Sequence, residues 1–226
     1  MNLELTNKHV LIAGGSKGIG LACARTFLAE GARVTLVSRF QENLLAAQAA
    51  LLKEAPGATV DILAADALTA AWHDAMQAKF FTYIHVINAL IKRMGERGDG
   101  AVVSIIGCGG KVATVTHLAG GAANAALMLA SAELAAAYAG KGVRVNAVNP
   151  GLTLTERLHE GMQAEARQHG ISIEEALTRA KATRPLGRIA EPSEIADAVV
   201  YLASNRASYI TGASVAMDGV ITPMVV

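Results

Sequence analysis

Residues 13–20, AGGSKGIG, carry Gly14, Gly18 and Gly20 with Ser16, Lys17 and Ile19 between them. Glycine takes positive φ and lets the backbone approach a phosphate, and a helix start offers unpaired N–H groups and the positive end of its dipole. A glycine turn between a first strand and a first helix is the setting of a dinucleotide site, although the spacing here is G-x-x-x-G-x-G and not G-x-G-x-x-G. The end of the next apolar run, VSRF, bears on which nucleotide is bound. An acid there would serve a ribose 2′-hydroxyl, and a cation would serve a 2′-phosphate. Ser38 and Arg39 therefore point to NADP(H) over NAD(H), with Arg39 as a bidentate phosphate contact and Lys17 as a second cation nearby. The alternative is that both cations are solvated surface groups.

The other reactive residue types are sparse. Histidines 9, 73, 85, 117, 159 and 169 show no ligand spacing, so no metal site is expected. Cys23 and Cys108 are too few for a disulfide framework. Cys23 sits at an apolar helix position and reads as packing. Cys108 reads as a small buried hydrophobe, because nothing beside it in sequence would lower its pKa. Residues 117–134, HLAGGAANAALMLASAEL, form a helix entry of small side chains with no Tyr, no Lys and no Ser before Ser131.

These groups need elements to hold them. Apolar runs at 9–15, 32–38, 58–66, 100–107, 143–151 and 212–219 read as buried strands. Between them, 18–30, 41–55, 72–94, 120–139, 155–182 (in two pieces) and 192–204 read as helices, the last with Pro192 in its first turn. Strand–helix alternation predicts an α/β, doubly wound parallel sheet in three layers, a Rossmann fold. The 226 residues suit one domain, with residues 152–183 as a small helical lid. A content of 52% hydrophobic and 17% charged residues argues against disorder, and a net charge of +1 gives no footprint for nucleic acid or anionic membrane. No basic leader precedes the first strand, and no apolar run free of charge or Gly reaches the length of a membrane span, so a cytoplasmic protein is expected.

The glycine turn, VRVNAVNPG followed by LTLTER, RPLGRIAEPSEIADAVVYLAS and YITGASVAMDG together resemble the short-chain dehydrogenase/reductase family over nearly the full length. The resemblance implies that Asp66 contacts adenine, and that Pro150, Gly151, Thr153 and Thr155 form the nicotinamide loop. It implies carbonyl reduction or alcohol oxidation of a small molecule, with Ser, Tyr and Lys as the reacting set. Aligned without gaps, those positions fall on Gly107, Gly120 and Asn124, so all three groups are absent. The family's Asn in the helix after Trp72 falls on Lys79. Only five residues separate Asp66 from Trp72, where the family has several tens including a central strand. Either another segment fills that place or the stretch is missing.

His117 and Lys79 are the candidate catalytic replacements: an imidazole titrates near neutrality, and a Lys could polarise a carbonyl or activate His117. Each also has a plainer reading, as a solvent-facing loop His and an exposed helix Lys. The leading expectation is an NADP(H)-dependent oxidoreductase with an atypical acid. The rival is a nucleotide-binding protein without turnover, acting as a sensor or assembly partner. The resemblance further implies a homodimer or homotetramer built on the helices that contain Ala78 and Ala126.

Overall fold

The computed structural model describes residues 3–64, 71–112, 117–221 and 223. Six parallel strands alternate with helices: β1 (His9–Ala13), α1 (Gly18–Ala29), β2 (Arg33–Ser38), α2 (Gln41–Glu54) and β3 (Val60–Ala64) make the first half. The second half holds α3 (Ala71–Ala75), a π-helical segment (Met76–Phe81), α4 (Thr82–Arg97), β4 (Gly100–Ile105), α5 (Leu118–Tyr138) and β5 (Val143–Pro150). It closes with α6 (Glu156–His169), α7 (Ile173–Ala182), α8 (Pro192–Ala203) and β6 (Ser214–Met217). The predicted helix at 72–94 is present, with a π turn inside it and an end at Arg97.

The strands form two three-stranded parallel sheets, β1-β2-β3 and β4-β5-β6, not one. Among the described residues no strand lies between β1 and β4, so no other described segment fills the place left by the short 66–72 connection. The halves still share one apolar core. Ile12, Val34 and Leu36 of the first sheet and Val148 of the second pack with Phe27 of α1 and Ile195, Val199 and Val200 of α8, and Val103, Ile105 and Val215 lie against the same cluster. Residues that bury this much apolar surface hold the sheets together without ladder hydrogen bonds between them.

Two features place the site. β1 and β5 end at the same face of the molecule, followed by the glycine turn and by Gly151–Thr155. Helices α6 and α7 carry a small core of their own, made by Leu158, Met162, Ala166, Ala176 and Ile189. The segment before α8 is held by a two-pronged Arg188–Glu194 pair at 2.6 and 2.7 Å, and Ala190 bridges to Thr153 there. The stretch Leu118–Lys141 is long and apolar enough to cross a membrane by length and composition, with Gly120, Gly121, Glu133 and Gly140 interrupting it. Ala123, Asn124, Leu127, Ser131 and Ala135 form its buried face, which accounts for part of that composition by core packing.

Candidate active site

The glycine turn has the conformation its residues foretell. Gly14 and Gly18 have φ of +77° and +54°, and a Cβ on Gly14 would meet nothing within 4 Å, so Gly14 faces open space. Gly20 has no such room, since a Cβ there would run into the Gly14 carbonyl. Ser16 Oγ donates to Ser38 Oγ at 2.9 Å, tying the turn to the end of β2. The first turn of α1 contains no acid, so its positive end is uncompensated. Arg39 is exposed, lies over the Phe40 ring at 5.4 Å and makes no ion pair among the described residues. Lys17 is engaged differently: its Nζ lies 2.9 Å from Glu156 Oε2. The pair is exposed, so it is weak and leaves the Lys17 ammonium open to a competing anion at little cost. Ile19, half-buried, packs on the main core.

The loop after β5 closes against that turn. A Cβ on Gly18 would lie 3.2 Å from Thr155 Cγ2, and Thr155 Oγ1 caps α6 by accepting from Leu158 N at 3.4 Å. Thr153 is buried and donates to the Gly151 carbonyl at 3.4 Å, and the Gly151 N–H donates to the Met217 carbonyl. Gly14, Ser16, Lys17, Gly18, Gly20, Ser38, Thr155 and Gly151 thus belong to one continuous surface. Asp66 lies outside the described residues.

The second group of candidates gathers where β4 ends. The His117 ring stands over Gly120: a Cβ on Gly120 would sit 2.6 Å from Nε2 and 2.9 Å from Nδ1. The imidazole thus fills the volume a side chain at 120 would take. A Cβ on Gly109 would lie 3.0 Å from His117 Cδ2 and 3.6 Å from Asn124 Nδ2, and one on Gly107 3.5 Å from Asn124 Nδ2. Gly107, Gly109, His117, Gly120 and Asn124 are neighbours in space. Asn124 is buried, and its Oδ1 has no hydrogen-bond partner among the described residues.

Lys79 is not the exposed helix lysine of the plainer reading. It lies in the π-helical segment, half-buried, and its Nζ donates to the Ile106 carbonyl at 2.7 Å, one residue from Gly107. Burial first, and then the Arg157 guanidinium nearby, lower its pKa to about 8. Below pH 8 the ammonium is charged in both folded and unfolded chains, and the folded chain bears the full cost of burying it. As pH rises from about 8 towards the ordinary lysine range, the folded chain sheds the proton first and gains stability. Lys79→Met is therefore expected to raise Tm relative to the parent more at pH 7 than at pH 10. A pH-independent difference in thermal melts would rule out the buried charge.

Cys108 is half-buried, and its thiol is raised, chiefly by burial and then by Asp218, which argues against a nucleophile. Cys23 is packed in the core, with its thiol pushed up to about 12 by burial. Among the described residues no group of three or more His, Cys, Asp or Glu side chains could hold a metal.

Sequence reasoning missed two residues. Tyr83 donates from Oη to the Ile105 carbonyl at 2.6 Å and is held neutral by burial, its pKa near 12. Asn149, fully buried in β5, donates to Ser214 Oγ at 2.7 Å, and its Oδ1 has no partner among the described residues. The Asn residues inside the apolar run VRVNAVNP were a legible signal, since a buried amide must find partners. Nothing in sequence marked Tyr83.

Comparison with known proteins matches this frame. The profile described as short chain dehydrogenase covers residues 8–71, and the one described as Enoyl-(Acyl carrier protein) reductase covers residues 64–222. The chain is 34% identical to 2-(S)-hydroxypropyl-CoM dehydrogenase 3 of Xanthobacter autotrophicus, over 98% of this chain and 99% of that protein. It is 33% identical to galactitol 2-dehydrogenase (L-tagatose-forming) of Cereibacter sphaeroides, over 92% of each. The first alignment runs to 259 positions against 226 residues here, so the relative has at least 33 residues with no counterpart in this chain. Among solved structures, L-sorbose reductase from Gluconobacter frateurii with NADPH and L-sorbose superposes with a TM-score of 0.93 at 26% identity, covering all of both chains. An NADPH-bound short chain oxidoreductase of Pseudomonas aeruginosa containing an atypical catalytic center superposes at 0.85 with 27% identity, over 97% of this chain and all of that one. From the glycine turn to the last strand, the chain belongs to the short-chain dehydrogenase/reductase family of NAD(P)-dependent oxidoreductases.

Proposed function

We propose that the chain is a soluble NADP(H)-dependent oxidoreductase acting on a small carbonyl or alcohol, with His117 as its acid–base group. The observation that carries this reading is the His117 ring over Gly120, a proton-bearing group in the place where the family's Tyr would stand. The open face of Gly14, the uncompensated start of α1 and the unpaired Arg39 fit a dinucleotide with a 2′-phosphate. Gly14, Ser16, Lys17, Gly18, Ile19 and Gly20 hold its phosphates, Ser38 and Arg39 the ribose phosphate, and Pro150, Gly151, Thr153 and Thr155 the nicotinamide end. Asp66 takes the adenine. When bound, the nicotinamide supplies or accepts hydride. Lys79 steadies the Ile106 carbonyl and places a positive charge beside the substrate oxygen, and His117 gives or takes the proton there. Helices α6 and α7 cover the substrate as a lid on the one domain.

An NADPH turnover screen over carbonyl substrates, run beside a binding titration, tests the reading. The vacant Gly107, Gly120 and Asn124 positions favour the second reading, nucleotide binding without turnover, and binding with no hydride transfer to any substrate would establish it.

Two further results are expected. Arg39→Asp should weaken NADPH relative to NADH by about 10- to 100-fold, the value of roughly 1.5–3 kcal/mol for a charged hydrogen bond. An unchanged ratio of the two affinities would remove Arg39 from the site. Light scattering at micromolar concentration should give a dimer or tetramer, since α5 exposes Leu118 and Leu129 beside its small residues, and a monomer would refute the helix-paired assembly.

A further inference from the structure

The two half-sheets face each other across a gap with the chemistry of a vacant strand position. Ile106 donates to the Val148 carbonyl of β5, so alternate residues of β4 pair with β5, and Ala101, Val103 and Ile105 turn their backbone groups the other way. By the same alternation, Gly14 donates to Val37 and Lys8 accepts from Arg33, which turns His9, Leu11 and Ala13 of β1 away from β2. Two rows of N–H and C=O groups thus line the gap. Among the described residues only the Ile105 carbonyl has a partner there, the Tyr83 hydroxyl.

A pocket of about 990 Å³ runs between the rows and out over the N-terminal ends of the strands, bordered by the buried Cys23 and Phe27 of α1, Val199 of α8 and Ile87 of α4, and by the partly buried Tyr83 and Met94. Apolar walls on both faces and unpaired ladders on both edges suit one occupant shape, an extended strand that is apolar on both sides. Five to six residues at about 3.3 Å each match the length of β1 and β4. The mouth at the strands' N-terminal ends is lined by Lys8, Arg33, Arg97 and Arg144 against Glu4 and Asp99, a cationic excess. A strand entering parallel to its neighbours would place its N-terminal flank there.

We infer that the gap is a binding site for an extended apolar peptide with an acidic N-terminal flank, which adds as a parallel strand between β1 and β4. The peptide comes from another molecule, and its main chain pairs with His9, Leu11 and Ala13 on one side and Ala101, Val103 and Ile105 on the other. The gap abuts the nucleotide surface at Ala13 and Ile105, but its backbone ladder is not what would hold the nucleotide, so the inference does not depend on the proposed activity.

The probe is a fluorescein-labelled, amidated peptide, Glu-Asp-Ile-Val-Leu-Val-Val-Gly-Lys, titrated into the full chain without nucleotide. Binding at micromolar concentration is expected, and N-methylation of alternate peptide amides should weaken it at least tenfold, because those amides supply the ladder. Exchanging the two acids for lysines should weaken it about tenfold at low salt. Hydrogen exchange should slow at least tenfold at the six residues named, and stay unchanged at Val10, Ile12, Val102 and Ser104, whose N–H groups are already paired. Four outcomes would overturn the inference: no binding at 100 μM, binding indifferent to N-methylation, equal affinity for the lysine peptide, or protection without the odd–even alternation. Alternating protection that grows with protein concentration alone would make a second copy the occupant and would overturn it as well.

Discussion

His117→Ala is expected to lower kcat of NADPH-dependent carbonyl reduction by about 10²-fold or more, with NADPH affinity nearly unchanged. General acid–base catalysis contributes about 10²–10⁴-fold, and imidazole is the side chain whose ordinary titration spans neutrality. The structure gives the ring its opportunity, because it occupies the space over Gly120 and touches the place of a Gly109 Cβ. Affinity should be spared because the proposed phosphate and ribose contacts lie on the β1–α1 turn and at the end of β2. The competing donor is Lys79, and the outcome in His117→Ala separates the two. A Lys79 acid acts only while protonated, so activity would fall as pH rises through about 8. It would also fall in Lys79→Met while surviving in His117→Ala. Steady-state kinetics of both variants across pH decide between them, and full activity in His117→Ala removes the imidazole from the mechanism.

What sequence could and could not foretell follows from how far apart the partners lie. The strands and helices were legible because apolar runs of strand length alternate with helical spacing and end at Gly or Pro. The glycine turn was legible because its chemistry is local to eight residues. The short connection after Asp66 raised the question of a missing strand without deciding whether another segment fills its place, and it did not foretell that the two half-sheets would stay joined through Ile12, Val148 and the α1 and α8 side chains, a long-range packing result. Lys79 reads as an exposed residue on a helical wheel. The π turn at Met76–Phe81 rotates it onto the Ile106 carbonyl, and no periodicity announces that turn. Lys17 finds Glu156 across the fold, and no local pattern joins them. His117, by contrast, lies three residues before Gly120 at a helix start, where a helical neighbour relation brings side chains together.

Rebuilding the family's groups should succeed only when the histidine is removed. Gly120→Tyr with Asn124→Lys, made with His117 in place, is expected to lose stability and show no gain in turnover. The new Cβ would lie 2.6 Å from His117 Nε2, so phenol and imidazole compete for one volume until the exposed ring swings aside. Adding His117→Ala clears that volume, and the triple variant should reduce carbonyls about 10²-fold faster than His117→Ala alone, since a lysine-assisted phenol supplies the proton. Lysine at 124 enters a buried position, so it needs the Tyr hydroxyl and the nucleotide ribose as partners, and Asn124→Lys alone should melt lower than the parent. Adding Gly107→Ser should not help further. Gly107 has φ of +127°, a conformation that costs any residue with a Cβ, and that Cβ would lie 3.5 Å from the amide nitrogen that Lys replaces. Melting curves, NADPH titration and NADPH consumption on the same preparations keep folding, binding and chemistry apart. A triple variant that folds and binds NADPH but transfers no hydride would mean that this pocket does not hold a carbonyl against the nicotinamide, and the protein would then be a nucleotide binder without turnover.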